Sequence, residues 1–195
     1  MSEIIVINAK GVIKNPDAEL IENITLVASD GVIKSLGRTE DVLVPDDVNK
    51  VYDFPGSYLM PGLVDTHVHL IMPGDGRPPD QFVQDNNDLD LLLVAQHNAE
   101  MALLGGVTTL RDVGSRGQIA FSLRDAIRNC LVIGPRIIAS GSPITITGGH
   151  CHYLGGEADG VEQVRTKARE ILKQGADLIK VMGSGGGTPR TNPWR

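Results

Sequence analysis

The sequence predicts an α/β protein in two parts, a small β domain over residues 1–57 followed by alternating strands and helices over residues 58–195. Two observations carry this. Short apolar runs of β type, punctuated at Asn15-Pro16 and Ser29-Asp30-Gly31, fill the first part. In the second, apolar runs of strand length alternate with segments of helical periodicity. That β-α-β-α order calls for a parallel sheet with right-handed crossovers.

In the first part, residues 4–8, 12–13, 24–28 and 32–36 read as strands. Residues 58–70, YLMPGLVDTHVHL, open the second part as an apolar, buried-looking run ending in two histidines. Residues 71–87 hold Pro73, Gly74, Gly76, Pro78 and Pro79, too many breakers for a helix, and read as a loop. Residues 88–104 carry Leu91, Val94, Ala95, Ala99, Ala102 and Leu103 at helical spacing, with His97 on the opposite, solvated face. Gly105-Gly106 ends that helix and residues 107–113 form the next strand. A second helix places Ile119, Leu123, Ala126, Ile127 and Cys130 on one face, which makes Cys130 a core residue. After Gly134-Pro135 comes a third strand at 137–140, then a loop at 141–156. A third helix over 161–174 turns Val164, Ala168, Ile171 and Leu172 inward and meets a C-terminal glycine at Gly175. Residues 177–182, DLIKVM, read as a fourth strand.

Composition narrows the function classes. A 41% hydrophobic, 22% charged chain of 195 residues can bury a core. The net charge of −6, with 18 basic and 24 acidic residues in no long run of one sign and few aromatics, argues against a nucleic-acid partner. Neither an apolar run of membrane length nor a signal peptide is visible, so no membrane partner is expected and the cytoplasm is the default location. Two cysteines, Cys130 and Cys151, are too few for a disulfide framework and fit a reducing compartment, with a single bridge left open.

Chemistry concentrates at three places. Strand alternation puts Asp65, His67 and His69 on one face, with the two imidazoles roughly 7 Å apart, a reach from which both can close on one metal ion. Two histidines hydrogen-bonded at a strand end would give the same spacing. Lys180 sits mid-strand in an apolar run, where an unpaired ammonium is costly. It is either paired, with Asp65 or Asp112 as candidates, or neutral among cations and able to add carbon dioxide. The resulting carbamate has two oxygens, enough to bridge two metals. His150, Cys151 and His152 are packed too tightly to surround one zinc ion readily and lack a Cys-X-X-Cys partner. The glycines at 183–188 lack the phosphate-loop pattern and read as a flexible site loop.

MPGLVDTH at 60–67, GGVTTLRDVG at 105–114, TGGH at 147–150 and LIKVMGSGGG at 178–187 together resemble the amidohydrolase superfamily, in particular its branch of Xaa-Arg and Xaa-Pro dipeptidases and ochratoxin hydrolase. INAKGVI and ITLVASDGVIKSLG are similar to the N-terminal half of the β-sandwich that flanks the barrel in that family. The resemblance implies the N-terminal half of a TIM-type (β/α)8 barrel, about four of its eight units, preceded by part of a small β-sandwich. It implies His67 and His69 as ligands of the more buried metal, a carboxylated Lys180 bridging to a second, and His150 as the catalytic residue facing the scissile carbonyl or tetrahedral intermediate. His152 has no assigned role. Two divalent metals, zinc by expectation, and a CO2-derived carbamate on Lys180 are the implied cofactors.

The implied reaction is hydrolysis of an amide or peptide bond in a dipeptide or N-acyl amino acid by a metal-activated hydroxide. The alternatives are a cyclic-amide hydrolase of dihydroorotase or imidazolonepropionase type and a non-catalytic fragment. The family's remaining ligands, histidines ending strands five and six and an aspartate ending strand eight, have no counterpart in these 195 residues. The chain is therefore expected to be a fragment, inactive alone and a homo-oligomer when full length.

Overall fold

The structure, a computed structural model, describes residues 3–184 and forms two compact units, one ending at Pro61 and the other beginning at Gly62.

The first unit is a four-stranded sheet of β1 (Ile4–Val12), β2 (Ile21–Ser29), β3 (Val32–Arg38) and β4 (Lys50–Leu59), in the order β3-β2-β1-β4. β1 pairs antiparallel with β2 and parallel with β4, while β2 pairs antiparallel with β3. Alternation at the start of β1 buries Ile4 and Val6 with Val27, and farther along, where the alternation breaks, Ala9 and Val12 are buried with Ile24. β4 was not among the strands expected from the sequence, and Pro55 lies within it. It is tolerated because β4 is an edge strand and the chain slips register there, from Ala9 opposite Phe54 to Gly11 opposite Tyr58. Gly11 faces a close approach, since a Cβ there would lie 2.7 Å from the Ile21 carbonyl oxygen and 3.0 Å from the Tyr58 ring.

The second unit is built on a parallel three-stranded sheet, β5 (Leu63–Val68), β6 (Val107–Asp112) and β7 (Arg136–Ala139), in that order. Its helices are α1 (Pro79–Asp85), α2 (Asp88–Leu104), α3 (Ile119–Arg128) and α4 (Gly160–Lys173). The core joins Leu91, Ala95 and Ala99 of α2 to Leu110 and Ile137 of the sheet and to Ile119 and Leu123 of α3. As expected, α2 keeps its bounds and His97 is exposed. The Asn87 side chain accepts from the amides of Leu89 and Asp90 at its start. Asn87→Ala should therefore lower the unfolding free energy by about 1 kcal/mol with an unchanged urea m-value; a shift under roughly 0.3 kcal/mol would show that the cap contributes nothing.

Several expectations are corrected. α1 forms inside the supposed loop because its prolines stand at the N-cap and first helical positions, where a missing N–H is harmless. Cys130 is exposed: α3 stops at Arg128, and Cys130 takes the left-handed position just beyond, with φ 56°. Leu172 is exposed, while Val164, Ala168 and Ile171 pack inward as expected. β5 is not buried: it is an edge strand on which Leu63 and Val64 are 47% and 63% exposed. Residues 177–182 run parallel beside 139–144 but make only one bridge, Ile144 with Val181, instead of a regular fourth strand. At its start the Asp177 amide donates to the Ala139 carbonyl, and the Asp177 carboxylate, rather than a backbone carbonyl, receives the Ala139 amide. The same carboxylate oxygen pairs with Arg124 at 2.9 Å. The glycine-rich loop from residue 185 onward lies outside the described residues.

Candidate metal centre

The C-terminal ends of the parallel strands gather the residues singled out in the sequence. His67 is the penultimate residue of β5 and His69 follows its last. Their rings stand 5.4 Å apart between centroids at 66°, edge against face. His69 Nδ1 lies 3.0 Å from the carbonyl oxygen of Gly114, just past β6. A carbonyl oxygen only accepts, so in this hydrogen bond Nδ1 carries the proton and Nε2 is left with its lone pair. His67 is exposed, and its amide donates to the Asp65 carboxylate at 3.1 Å.

Lys180 and His150 arrive from the far side of the sheet. Lys180 is half-buried, and its backbone carbonyl accepts from Ile144, the bond that ties the segment beside residue 144. His150 ends a loop stapled to residues 156–159: the Thr145 amide donates to the Gly156 carbonyl, the Thr147 amide to Asp159, and the Gly148 amide to Glu157. The electrostatics show the convergence. Desolvation lowers the pKa of His69 below its ordinary value, partly offset by the Gly114 hydrogen bond, and positive charge on His67, Lys180 and His150 lowers it further. His150 is lowered by desolvation and by Lys180. The neutral forms thus favoured are the ones that donate lone pairs.

Of the two alternatives for Lys180, the pairing with Asp65 or Asp112 is not made; among the described residues no carboxylate lies within ion-pair distance of its ammonium. Asp112 is committed elsewhere. Fully buried at the end of β6, it accepts the Leu70 amide on Oδ2 and the Gly114 amide on Oδ1, at 3.2 and 3.0 Å. Burial nevertheless pushes its pKa up to about 7, against the pull of the two amides. Sequence reading missed its role, although alternation already placed Asp112 on the same inward face as Leu110.

The His150-Cys151-His152 cluster gains no support as a local zinc site. Cys151 is buried in a left-handed turn, its φ 58°, and the His152 ring turns its Nδ1 to the Gly149 carbonyl at 3.1 Å. Cys130 and Cys151 are not joined by a disulfide. Among the described residues no three His, Cys, Asp or Glu side chains group around one metal position. The donors that do fit a divalent ion are His67, His69 with its Nε2 freed by Gly114, and Lys180 if carboxylated, which amounts to part of a coordination shell.

A parallel β/α sheet with imidazoles and a lysine gathered at its strand ends defines the class, a portion of a β/α barrel. The amidohydrolase family profile matches residues 58–195, and the chain belongs to that family. The chain is 30% identical over 203 aligned residues to ochratoxinase from Aspergillus niger, which covers 87% of this chain and 40% of that protein. Its fold superposes on a Xaa-Pro dipeptidase solved with methionine in the active site, with a TM-score of 0.81 and 28% identity over 94% of this chain and 48% of the other. A shorter stretch of 64 residues, 33% of the chain and 14% of the relative, is 34% identical to dihydroorotase from Clostridioides difficile (strain 630). The expected fold class, the N-terminal part of a TIM-type barrel, is thus borne out, and the chain spans about half the length of the relatives it matches. No helix among the described residues is long and apolar enough to cross a membrane.

Proposed function

We propose that this chain supplies the N-terminal half of the active site of a metal-dependent hydrolase that cleaves amide or peptide C–N bonds, with dipeptides or N-acyl amino acids as the substrate class. The observation that carries the proposal is the convergence of His67, His69, His150 and Lys180 at the ends of parallel strands, with Gly114 orienting the His69 ring. Extensive similarity to ochratoxinase and to a Xaa-Pro dipeptidase supports an amide substrate. The shorter match to dihydroorotase supports the second reading, a cyclic amide.

His67 and His69 would hold one ion, and Lys180 would bridge to a second. The amine nitrogen of Lys180 adds to the carbon of CO2, forming an N–C bond and releasing its proton to water, which yields a carbamate with two donor oxygens. The chemistry that a divalent metal, zinc by preference, would supply when held there is a water of lowered pKa and polarisation of the carbonyl. Neutral His150 can donate one N–H to the oxygen on which negative charge develops.

The test is metal content by elemental analysis after preparation with zinc and bicarbonate. Lys180→Ala and His67→Ala should each lose most of the zinc that the unaltered protein retains, at least tenfold by occupancy at limiting metal. Equal zinc in all three proteins would overturn the ligand assignment. A panel of dipeptides, N-acyl amino acids and cyclic ureides, offered to the full-length protein, separates the two substrate classes.

A further inference from the structure

The geometry points to Asp112 and Gly114 as positioning residues that set the tautomer and the aim of the His69 imidazole. This rests on the reading of His69 as a metal ligand but concerns groups that touch no metal. The carboxylate of Asp112 reaches in two directions at once. Its Oδ2 takes the Leu70 amide, immediately after His69, and its Oδ1 takes the Gly114 amide. Gly114 then returns its carbonyl to His69 Nδ1. One buried side chain therefore ties the chain leaving β5 to the chain leaving β6, and the imidazole is clamped between them by both ends of its own residue. The side chain of Asn98 adds to the same end, donating to the carbonyls of Leu70 and Met72 at 2.8 and 3.0 Å.

Glycine is required at 114 by contact, not by backbone angle. A Cβ there would lie 2.6 Å from His69 Nδ1 and 2.7 Å from its Cε1, so any larger residue must turn the ring away. The consequence is a metal ligand whose proton position is decided at the end of the neighbouring strand. Losing an outer partner of a ligating histidine typically weakens metal binding by about 10–100-fold.

Gly114→Ala and Asp112→Asn test this. Asparagine keeps one acceptor but turns an amide donor toward the second N–H. Two readouts are needed: zinc affinity by chelator competition, and the His69 tautomer by long-range 15N–1H NMR on the metal-free protein. The unaltered protein should show the Nδ1–H form. Both variants should lose that preference and bind zinc about 10–100-fold more weakly, whereas Asn87→Ala, destabilised away from the site, should change neither readout. An Nδ1–H tautomer retained in the two folded variants with zinc affinity unaltered would overturn the inference. If the unaltered protein binds no zinc, the ligand reading fails by itself, and the tautomers still decide the role of Asp112 and Gly114.

Discussion

Among the described glycines, Gly156→Ala should produce the largest loss of stability of any alanine substitution. An added Cβ would stand 1.9 Å from the Pro143 carbonyl oxygen and 2.6 Å from its carbonyl carbon, both backbone atoms that no rotamer change can move. The chain crosses itself there in a place already fixed by hydrogen bonds: the Gly156 carbonyl accepts from Thr145, and the Thr145 carbonyl accepts from Ala158. Overpacking usually costs about 1–3 kcal/mol, and a clash between backbones belongs at or beyond the upper end. We expect a fall of about 3 kcal/mol in urea unfolding. Because this crossing staples the loop that ends in His150, proteolytic nicking within 145–156 should rise in parallel. A midpoint unchanged from the unaltered protein would mean that the crossing is looser than the structure shows.

The pH dependence of stability should carry the signature of Asp112. Its folded pKa is raised from 3.8 to about 7. Between those values the folded state holds a proton that the unfolded chain has released, so this group's contribution is fully present below 3.8 and is lost as pH rises through about 7. At about 1.36 kcal/mol per unit the swing is on the order of 4 kcal/mol. His69 acts with the opposite sign. Its lowered pKa gives a contribution present above the ordinary 6.5 and lost as pH falls below it. Subtracting the Asp112→Asn curve from the Asp112 curve, both measured in a His69→Gln background, removes the histidine component. The difference should favour aspartate most at acid pH and shrink toward pH 7; a difference independent of pH would show that Asp112 is ionised throughout.

What could be read directly was whatever depends on local pattern. The α2 helix was legible to the residue because its apolar periodicity and its closing glycines agree. The family, and with it His67, His69, His150 and Lys180 as candidates, was legible because those residues stand in short motifs of distinctive spacing. β4 and α1 were not, since proline disfavours a strand or helix only where its missing N–H matters, and an edge strand or a first helical turn is where it does not. Cys130 failed for a related reason: the periodicity that assigned it to the core continues past the point where the helix stops.

The sequence by itself determined the alternation of β5, α2, β6, α3, β7 and α4 and the residue types at the strand ends, because periodicity and motif are properties of neighbours along the chain. Only the tertiary structure decided that β5 is an exposed edge, that residues 177–182 run beside residues 139–144 with one bridge, Ile144 to Val181, and that Asp112 serves two amides rather than Lys180. Each of these depends on which group, distant in sequence, arrives with a free N–H or an open strand edge. A buried carboxylate takes whichever donors the fold delivers to it.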